Sequence, residues 1–491
     1  MAERRSEPTD RKRGSFLMNY FRKFRLTLAL LLSVALFAIG SPIALGASAE
    51  QVQEVRDLLE QYHLSKPDDT VLSGTEMDKM VESLHDPYTQ YFDDEQWSSF
   101  NSALEQTFVG IGIVISEEKG IVYVQEVIAG SPAEASGLQA GDALAAADGK
   151  SLKGLSSADV QKELRGVEGT SVKLTVNRGG KTLSFIITRR AVQLPAVAAR
   201  MLDNNIGYLS LSGFSSNSGN EVKTELEKLE KNGLSALVFD LRNNGGGYVN
   251  AAQFIAGLFI EKGILAHMKD RDGIDHPLEV NGSKKTYPVI MLVNENSASA
   301  SELLSGALQD YGVAKLVGTK TYGKGVVQSI LSVKSGGVLK VTVQEYYTPA
   351  GRKVDKVGLT PNVVVNGAAE QFINAYRLAG GQKVTVTTAS GLITVNGVRM
   401  AEPGITLQDK SVWYVNIKLA ASILGAKLTY DTKNHEYTLS KGTQLQTIKT
   451  NDSHLRIKDG QSNIDVRLLM KKFAGFSFSS NGETLKMVAS K

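Results

Sequence analysis

The chain has 491 residues, 42% of them hydrophobic, with 47 Gly, no Cys and a formal net charge of +4. That length suits about three domains, and the missing Cys excludes disulfides, Cys-based zinc sites and a thiol nucleophile. The first 25 residues hold eight Lys/Arg against three Asp/Glu, so the rest of the chain is close to neutral and implies no basic surface for nucleic acid.

The basic start ends in RKFR (22–25) and runs into LTLALLLSVALFAIG (26–40), then SPIALGASAE. A basic region, an apolar region and Ala47-Ser48-Ala49 make a secretory signal pattern with cleavage expected after Ala49. The apolar stretch is also nearly long enough to stay as an anchor, with its basic end inside. Either way, residues 1–49 predict an extracytoplasmic protein, secreted or held at the cell membrane.

Residues 50–105 read as helices with polar breaks, closing on the aromatic, turn-rich DPYTQYFDDEQW. Residues 106–190 switch to short strands between turn signals, with two short helices, and predict a compact β-rich domain. Residues 191–375 alternate strand and helix, with helices expected over 217–232, 248–260 and 300–311. That alternation predicts an α/β layer on a largely parallel, buried sheet.

Residues 376–491 change character again. VWYVNIKLAASILGAKLTYD (412–431) and NIDVRLLMKKFAGFSFSSN (463–481) both read strand, amphipathic helix, Gly, strand. They are two weak internal repeats, with Gly425 and Gly475 where a helix C-cap belongs. This region has no cluster of His or acidic side chains for a metal. No metal and no cofactor is expected anywhere in the chain.

The stretch NENSASASE (294–302) poses the chemical question. Ser299 with Glu302 is a capping-box pattern at the start of the 300–311 helix. A strand, a sharp turn and a helix with Ser at the junction is also where nucleophilic serines sit. The six His (His63, His85, His267, His276, His435 and His454) all fall outside DLRNNGGG (240–247), NENSASASE and GTKTYGKGVVQ (318–328). A Ser-His-Asp triad is therefore hard to place. A lysine serves as base only when it is neutral, which burial favours. Lys324 lies between Gly323 and Gly325 and ahead of Val326 and Val327. Those neighbours suit a desolvated amine, although an exposed turn lysine fits the glycines equally. Lys324 and Gln328 are four apart and share a face if the segment is helical.

The segment from Phe108, Val109, Gly110, Ile111 and Gly112 through SPAEASGLQAGDALAAADGKSL resembles a PDZ domain. Its glycines would let backbone N–H groups of Val109, Gly110, Ile111 and Gly112 face a terminal carboxylate, while a strand edge takes the peptide. The motifs SLHDPYTQYF (83–92), DLRNNGGG, NENSASASE, GTKTYGKGVVQ and EYYTPAGRKVDKVGLTPNVVV (345–365) resemble, in order and spacing, the carboxyl-terminal processing proteases. The resemblance spans roughly residues 75–365. It implies Ser299 as nucleophile, Lys324, 25 positions on, as base, and Gln328 as its helper. It also implies an oxyanion hole from the N–H groups of Ala300 and Gly245, with Gly246 beside it. The last region resembles the stalk-like repeats called copper amine oxidase N-terminal-like domains.

The expected fold class is a multidomain α/β (α+β) chain with a PDZ β-barrel-like domain inserted before the protease core. The expected domains are a leader or anchor (1–49), a helical region (50–105), the PDZ domain (106–190), the protease core (191–375) and a stalk-like domain (376–491). The expected activity is serine endopeptidase cleavage of protein or peptide substrates recognised by a free C-terminal tail. Arg165, in LRGVEGT, is a candidate gating residue between domains. Homo-oligomerisation and a cell-wall or envelope partner for the C-terminal region are further expectations. The competing readings are a silent PDZ scaffold and an envelope attachment protein.

Overall fold

The computed structural model describes residues 48–490 apart from 75, 119, 390–391, 401–405 and 410. The expected leader therefore lies outside the described residues, save its last two positions, where Ser48 caps the first helix and Ala49 opens it. No helix among the described residues is long and apolar enough to cross a membrane. Among the described residues two compact units emerge: Glu95–Pro195, and residues 48–94 together with Ala196 onward.

In the unit Glu95–Pro195, strands Ile113–Glu118, Ile121–Val127, Ala143–Ala147, Ser171–Arg178 and Lys181–Thr188 form an antiparallel sheet with Ile113–Glu118 at one edge. Helices Pro132–Ala135 and Ser157–Leu164 start on the caps Ser131 and Ser156. Val122, Val124, Leu144, Val160, Val172 and Leu174 fill the core. The strand Thr107–Gly110 pairs with Arg190–Gln193 and ties the two ends of this unit together. Most of the helix Asp94–Leu104, read from sequence as part of the 50–105 region, belongs to this unit.

The second unit opens with helix α1 (Ala49–Tyr62) and strand β1 (Gln90–Phe92). Next come β2 (Val197–Met201), β3 (Ile206–Leu211), α2 (Ser218–Lys231), β4 (Ala236–Asp240) and α3 (Val249–Gly257). Then follow β5 (Val289–Val293), α4 (Ala300–Asp310), β6 (Ala314–Gly318), β7 (Val326–Ser332), β8 (Val338–Tyr347), β9 (Val363–Val364) and α5 (Ala368–Leu378). The main sheet runs β2-β3-β4-β5-β6-β9, and every pair after the first is parallel. Strands β4 and β5 are buried along their whole length, as a parallel sheet covered on both faces requires. Leu226, Ile255, Leu304 and Leu308 from α2, α3 and α4 pack on one face.

Phe372 and Tyr376 of α5 cover the other face, and the same core continues through Val386, Val415, Ile464 and Met487. The C-terminal region thus shares apolar interior with the main sheet, so the two form one compact body. Its two repeats have the expected elements: Val412–Asn416, Ile417–Leu424 and Lys427–Asp431, then Gln461–Asp465, Val466–Lys472 and Phe476–Ser480. Gly425 is a left-handed C-cap, whereas the second helix ends at Phe473 and Gly475 follows with φ of 79°.

A second sheet contains β1, β7 and β8 together with Lys262–Asp270 and Leu278–Asn281. Helix α1 lays Val52, Val55 and Leu59 against Leu339 and Val341 of β8, the apolar spacing of one helical face.

Candidate active site

Three neighbouring parallel strands, β4, β5 and β6, end at three of the motifs singled out in the sequence. DLRNNGGG follows β4, NENSASASE follows β5, and the segment holding Lys324 follows β6. Ligand sites in open α/β sheets form at the carboxyl ends of the strands, and here sheet order brings together motifs far apart in sequence.

The turn after β5 is laced to the turn after β4. Ser297 Oγ donates to Leu241 O at 2.8 Å, Ser301 Oγ donates to Asn244 O at 2.9 Å, and Ala298 N–H reaches Asn244 O at 3.0 Å. Asn294 and Asn243 exchange two hydrogen bonds of 2.9 Å. The outer serines of the run are thus structural, and Ser299 is left between them.

Ser299 has φ 56° and ψ −116°. A non-glycine residue held there is strained by about 1–3 kcal/mol, a cost met by the bonds on either side. Gly246 makes the turn fit. A Cβ on it would lie 2.7 Å from Ala298 O and 2.9 Å from Ser299 Cβ. Its N–H is taken by Asn244 Oδ1 at 2.9 Å, so Gly246 is not a free donor and its contribution is steric. Among the described residues no partner accepts the N–H of Gly245 or of Ala300, the first residue of α4.

Glu302 is fully buried and accepts four hydrogen bonds. Oε1 takes Thr321 Oγ1 at 2.5 Å and Gly323 N–H at 2.8 Å. Oε2 takes Ser299 N–H at 3.0 Å and Lys324 N–H at 2.9 Å. Burial pushes this carboxyl up, and the four donors oppose that rise. The capping-box reading of Glu302 was right about the Ser299 N–H. What sequence reasoning missed is that the same carboxylate holds the Lys324 loop. The phenol of Tyr346 also bridges the two turns, its single O–H shared between Lys324 O at 2.8 Å and Ser299 O at 3.2 Å.

Lys324 is partly buried, with Nζ 4.8 Å from the centre of the Tyr88 ring. Burial draws its amine down to about 8, against the pull of the Asp86 and Glu302 carboxylates. Gly325 is required because a side chain there would run into the backbone of Asp355. The exposed-turn alternative for Lys324 is thereby set aside.

For Gln328 the condition of a helical segment is not met. It lies in β7, at a register shift against β8, so Lys324 and Gln328 do not share a helix face. Its amide donates to Thr342 Oγ1 at 3.3 Å, and Thr342 in turn bonds to Asp86. A further ion pair braces the turn after β4. Arg242 Nη2 meets Asp240 Oδ2 at 2.7 Å, Tyr208 donates to the same oxygen at 2.9 Å, and Arg242 Nη1 reaches Ala368 O at 2.7 Å.

In the other unit, Val109 and Gly110 end the strand paired with Arg190–Gln193, and Ile111 and Gly112 form the turn before Ile113–Glu118. The carbonyls of Ile111 and Gly112 accept from Ala133 and Ile128. Among the described residues their N–H groups donate to nothing. Arg165 caps the helix Ser157–Leu164 and is exposed.

The family model of peptidase family S41 matches residues 205–365, and that of the PDZ domain matches residues 109–188. A probable CtpA-like serine protease of Staphylococcus aureus is 36% identical over 332 residues, 67% of this chain and 67% of the relative. One from Staphylococcus haemolyticus is 32% identical over 429 residues, 84% of this chain and 82% of the relative. A solved photosystem II D1 C-terminal processing protease matches 65% of this chain and 94% of its own, at 28% identity and a TM-score of 0.42. Fold and site thus define a serine-type peptidase that carries a PDZ domain and acts on peptide or protein substrates. The chain belongs to peptidase family S41.

Proposed function

We propose that this peptidase is an exported endopeptidase that selects chains by their C-terminal tails and cleaves them with Ser299 and Lys324. The observation that carries this reading is the suspension of both residues from one buried carboxylate, Glu302, by their backbone N–H groups, with Lys324 desolvated and Ser299 strained.

A serine hydroxyl attacks only when a base removes its proton. Lys324, drawn down to about 8, has a usable neutral fraction near neutral pH. Its amine takes the Ser299 Oγ proton as Oγ adds to the substrate carbonyl. The N–H groups of Gly245 and Ala300 receive the developing oxyanion. The Lys324 ammonium then protonates the leaving amine, and the acyl-enzyme forms. Water, deprotonated by Lys324, releases the new C-terminus. Gln328 supports the base indirectly, through Thr342 and Asp86, which faces the Lys324 amine.

The unpartnered N–H groups of Ile111 and Gly112 suit a substrate carboxylate, and the edge strand Ile113–Glu118 suits an extended tail. Arg165 is assigned to gating. The C-terminal region, by its resemblance to copper amine oxidase N-terminal-like repeats, is assigned to attachment at the envelope, and residues 1–49 to export. Assembly into homo-oligomers belongs to the same reading.

The test is cleavage of an unfolded protein with a free apolar C-terminus by residues 50–491. Wild type, Ser299→Ala and Lys324→Ala are compared, with a C-terminally amidated substrate alongside. Cleavage by wild type alone, slower on the amidated form, is the expected result. Cleavage by Ser299→Ala would remove the nucleophile assignment, and equal rates on both substrates would remove tail reading. An inert wild type would favour the scaffold alternative.

A further inference from the structure

The stretch DPYTQYF (86–92) lies more than two hundred residues ahead of Ser299, yet it borders the Lys324 amine. It enters the second sheet as β1, where Gln90 stands opposite Lys340 of β8. Two of its rings lie under two lysines. Lys324 Nζ is 4.8 Å from the Tyr88 ring centre, and Lys340 Nζ is 5.2 Å from that of Phe92. Asp86 is held in place by Thr89 Oγ1 at 2.6 Å, by Tyr88 N–H at 2.9 Å and by His63 Nε2 at 3.3 Å.

We propose that this N-terminal segment is a working part of the catalytic centre: Tyr88 seats the Lys324 amine, while Asp86 and Lys340 place opposing charges around it. The proposal rests on Lys324 being the base. Tyr88 and Lys340 are positioning residues, since neither reacts.

The physical case begins with what a lysine base needs. Its amine must be neutral before attack and must hold a proton afterwards. Burial and a second ammonium favour the neutral form; a carboxylate and an aromatic face favour the charged one. All four influences are present. Burial and the charge of Lys324 draw Lys340 down to about 8, against Asp86, and the repulsion between two ammonium groups is mutual. Asp86 is held well below the usual carboxylate range; burial would raise it, but hydrogen bonds from His63, Thr342 and Thr89 prevail. It therefore stays charged wherever the enzyme works. The other charged and titratable groups around Lys324 are Glu302 at the start of α4, Tyr346 on β8, Tyr322 in the Lys324 loop and Asp355 beside Gly325. The Tyr88 phenol bonds to Tyr322.

The experiment follows the Lys324 side chain of the full chain by NMR titration, its signal assigned by its loss in Lys324→Met, alongside the pH profile of cleavage. Lys340→Met should move the Lys324 midpoint up by roughly one pH unit, and Asp86→Asn should move it down by a similar amount. Lys340→Arg should restore the wild-type midpoint. Tyr88→Leu should lower kcat about tenfold or more at unchanged KM, and Tyr88→Phe should recover most of it. Thermal melting confirms that each variant is folded. If Asp86→Asn does not fold, the Lys340→Met and Lys340→Arg pair decides alone. A merely structural segment would lower amplitudes without moving midpoints in opposite directions, and that result overturns the proposal. So does a Tyr88→Phe variant as impaired as Tyr88→Leu. An inert wild type whose Lys324 midpoint still moves as described would sink the Ser299–Lys324 reading and leave the electrostatic arrangement standing.

Discussion

The carboxylate of Glu302 accepts the backbone N–H of Lys324 at 2.9 Å. Through its other contacts it also holds Ser299, Thr321 and Gly323. One buried side chain thus sets the relative position of a turn after β5 and a turn after β6. Glu302→Ala would leave four donors without an acceptor. Unsatisfied buried donors cost about 1–3 kcal/mol each before relaxation, so a net loss of about 2–5 kcal/mol is expected. Cleavage should fall about 100-fold or more. Glu302→Gln keeps the shape but turns an NH2 group toward backbone donors, and should lie between the two. Melting curves and cleavage rates on the same preparations check this.

Gly246→Ala tests the strained turn. The added methyl would sit 2.7 Å from Ala298 O and 3.0 Å from Ala300 N, on a residue with φ of 101°. Ser299 and the Ala300 N–H should be displaced together. The expected outcome is a fall in kcat of about 100-fold or more, as for loss of an oxyanion donor, with about 1–3 kcal/mol lost in stability. Unchanged labelling of Ser299 by an acylating probe would contradict it.

The lysine base should weaken the fold below pH 8. Its amine lies at about 8 when folded, against an ordinary 10.5. The unfolded chain therefore binds more protons between those values, and stability rises with pH across that window. Below about pH 8 the cost is present in full. Lys324→Met should melt higher at pH 7, by roughly 1–3 kcal/mol once solvent screening is allowed for. The difference should shrink toward pH 10. Melting temperatures of both proteins from pH 6 to 10 give the answer.

The Asp240–Arg242 pair joins the site to α5. Arg242 bonds to Ala368 O and Gln371 as well as to Asp240. Arg242→Met leaves the Asp240 charge buried without its guanidinium, held by Tyr208 and by the backbone N–H of residue 242. Breaking one partner of a buried pair costs about 3–5 kcal/mol. Arg242→Lys should recover only part of this, because an ammonium cannot fork to Asp240 and also reach α5. Denaturant unfolding of the three proteins measures the differences.

Much of this was legible beforehand. Period-two and buried apolar runs marked the strands, and the expected helices at 217–232 and 300–311 fall within a residue of Ser218–Lys231 and Ala300–Asp310. Ser299 and Lys324 were nameable because their motifs stand in a fixed order. The setting of Gln328 stayed open between helix and strand, since spacing of four fits a helix, while the strand β7 is decided by pairing with β8. Tyr88 and Tyr346 lie inside motifs picked out in the sequence without a role of their own, and Lys340 lies outside them; each looks like an ordinary sheet or turn position until the sheets are assembled.

Local sequence determined the turns, the caps and the chemical types available: a serine at a helix start, a lysine between glycines, a carboxylate three residues after the serine. Those features depend on neighbours within a few residues, so they can be read along the chain. Only the tertiary structure decided which groups meet. The order β4-β5-β6 brings three distant turns to one end of a sheet, and burial there gives Glu302 its four donors and Lys324 its lowered proton affinity. Desolvation is a property of the assembled interior, and no stretch of sequence carries it alone.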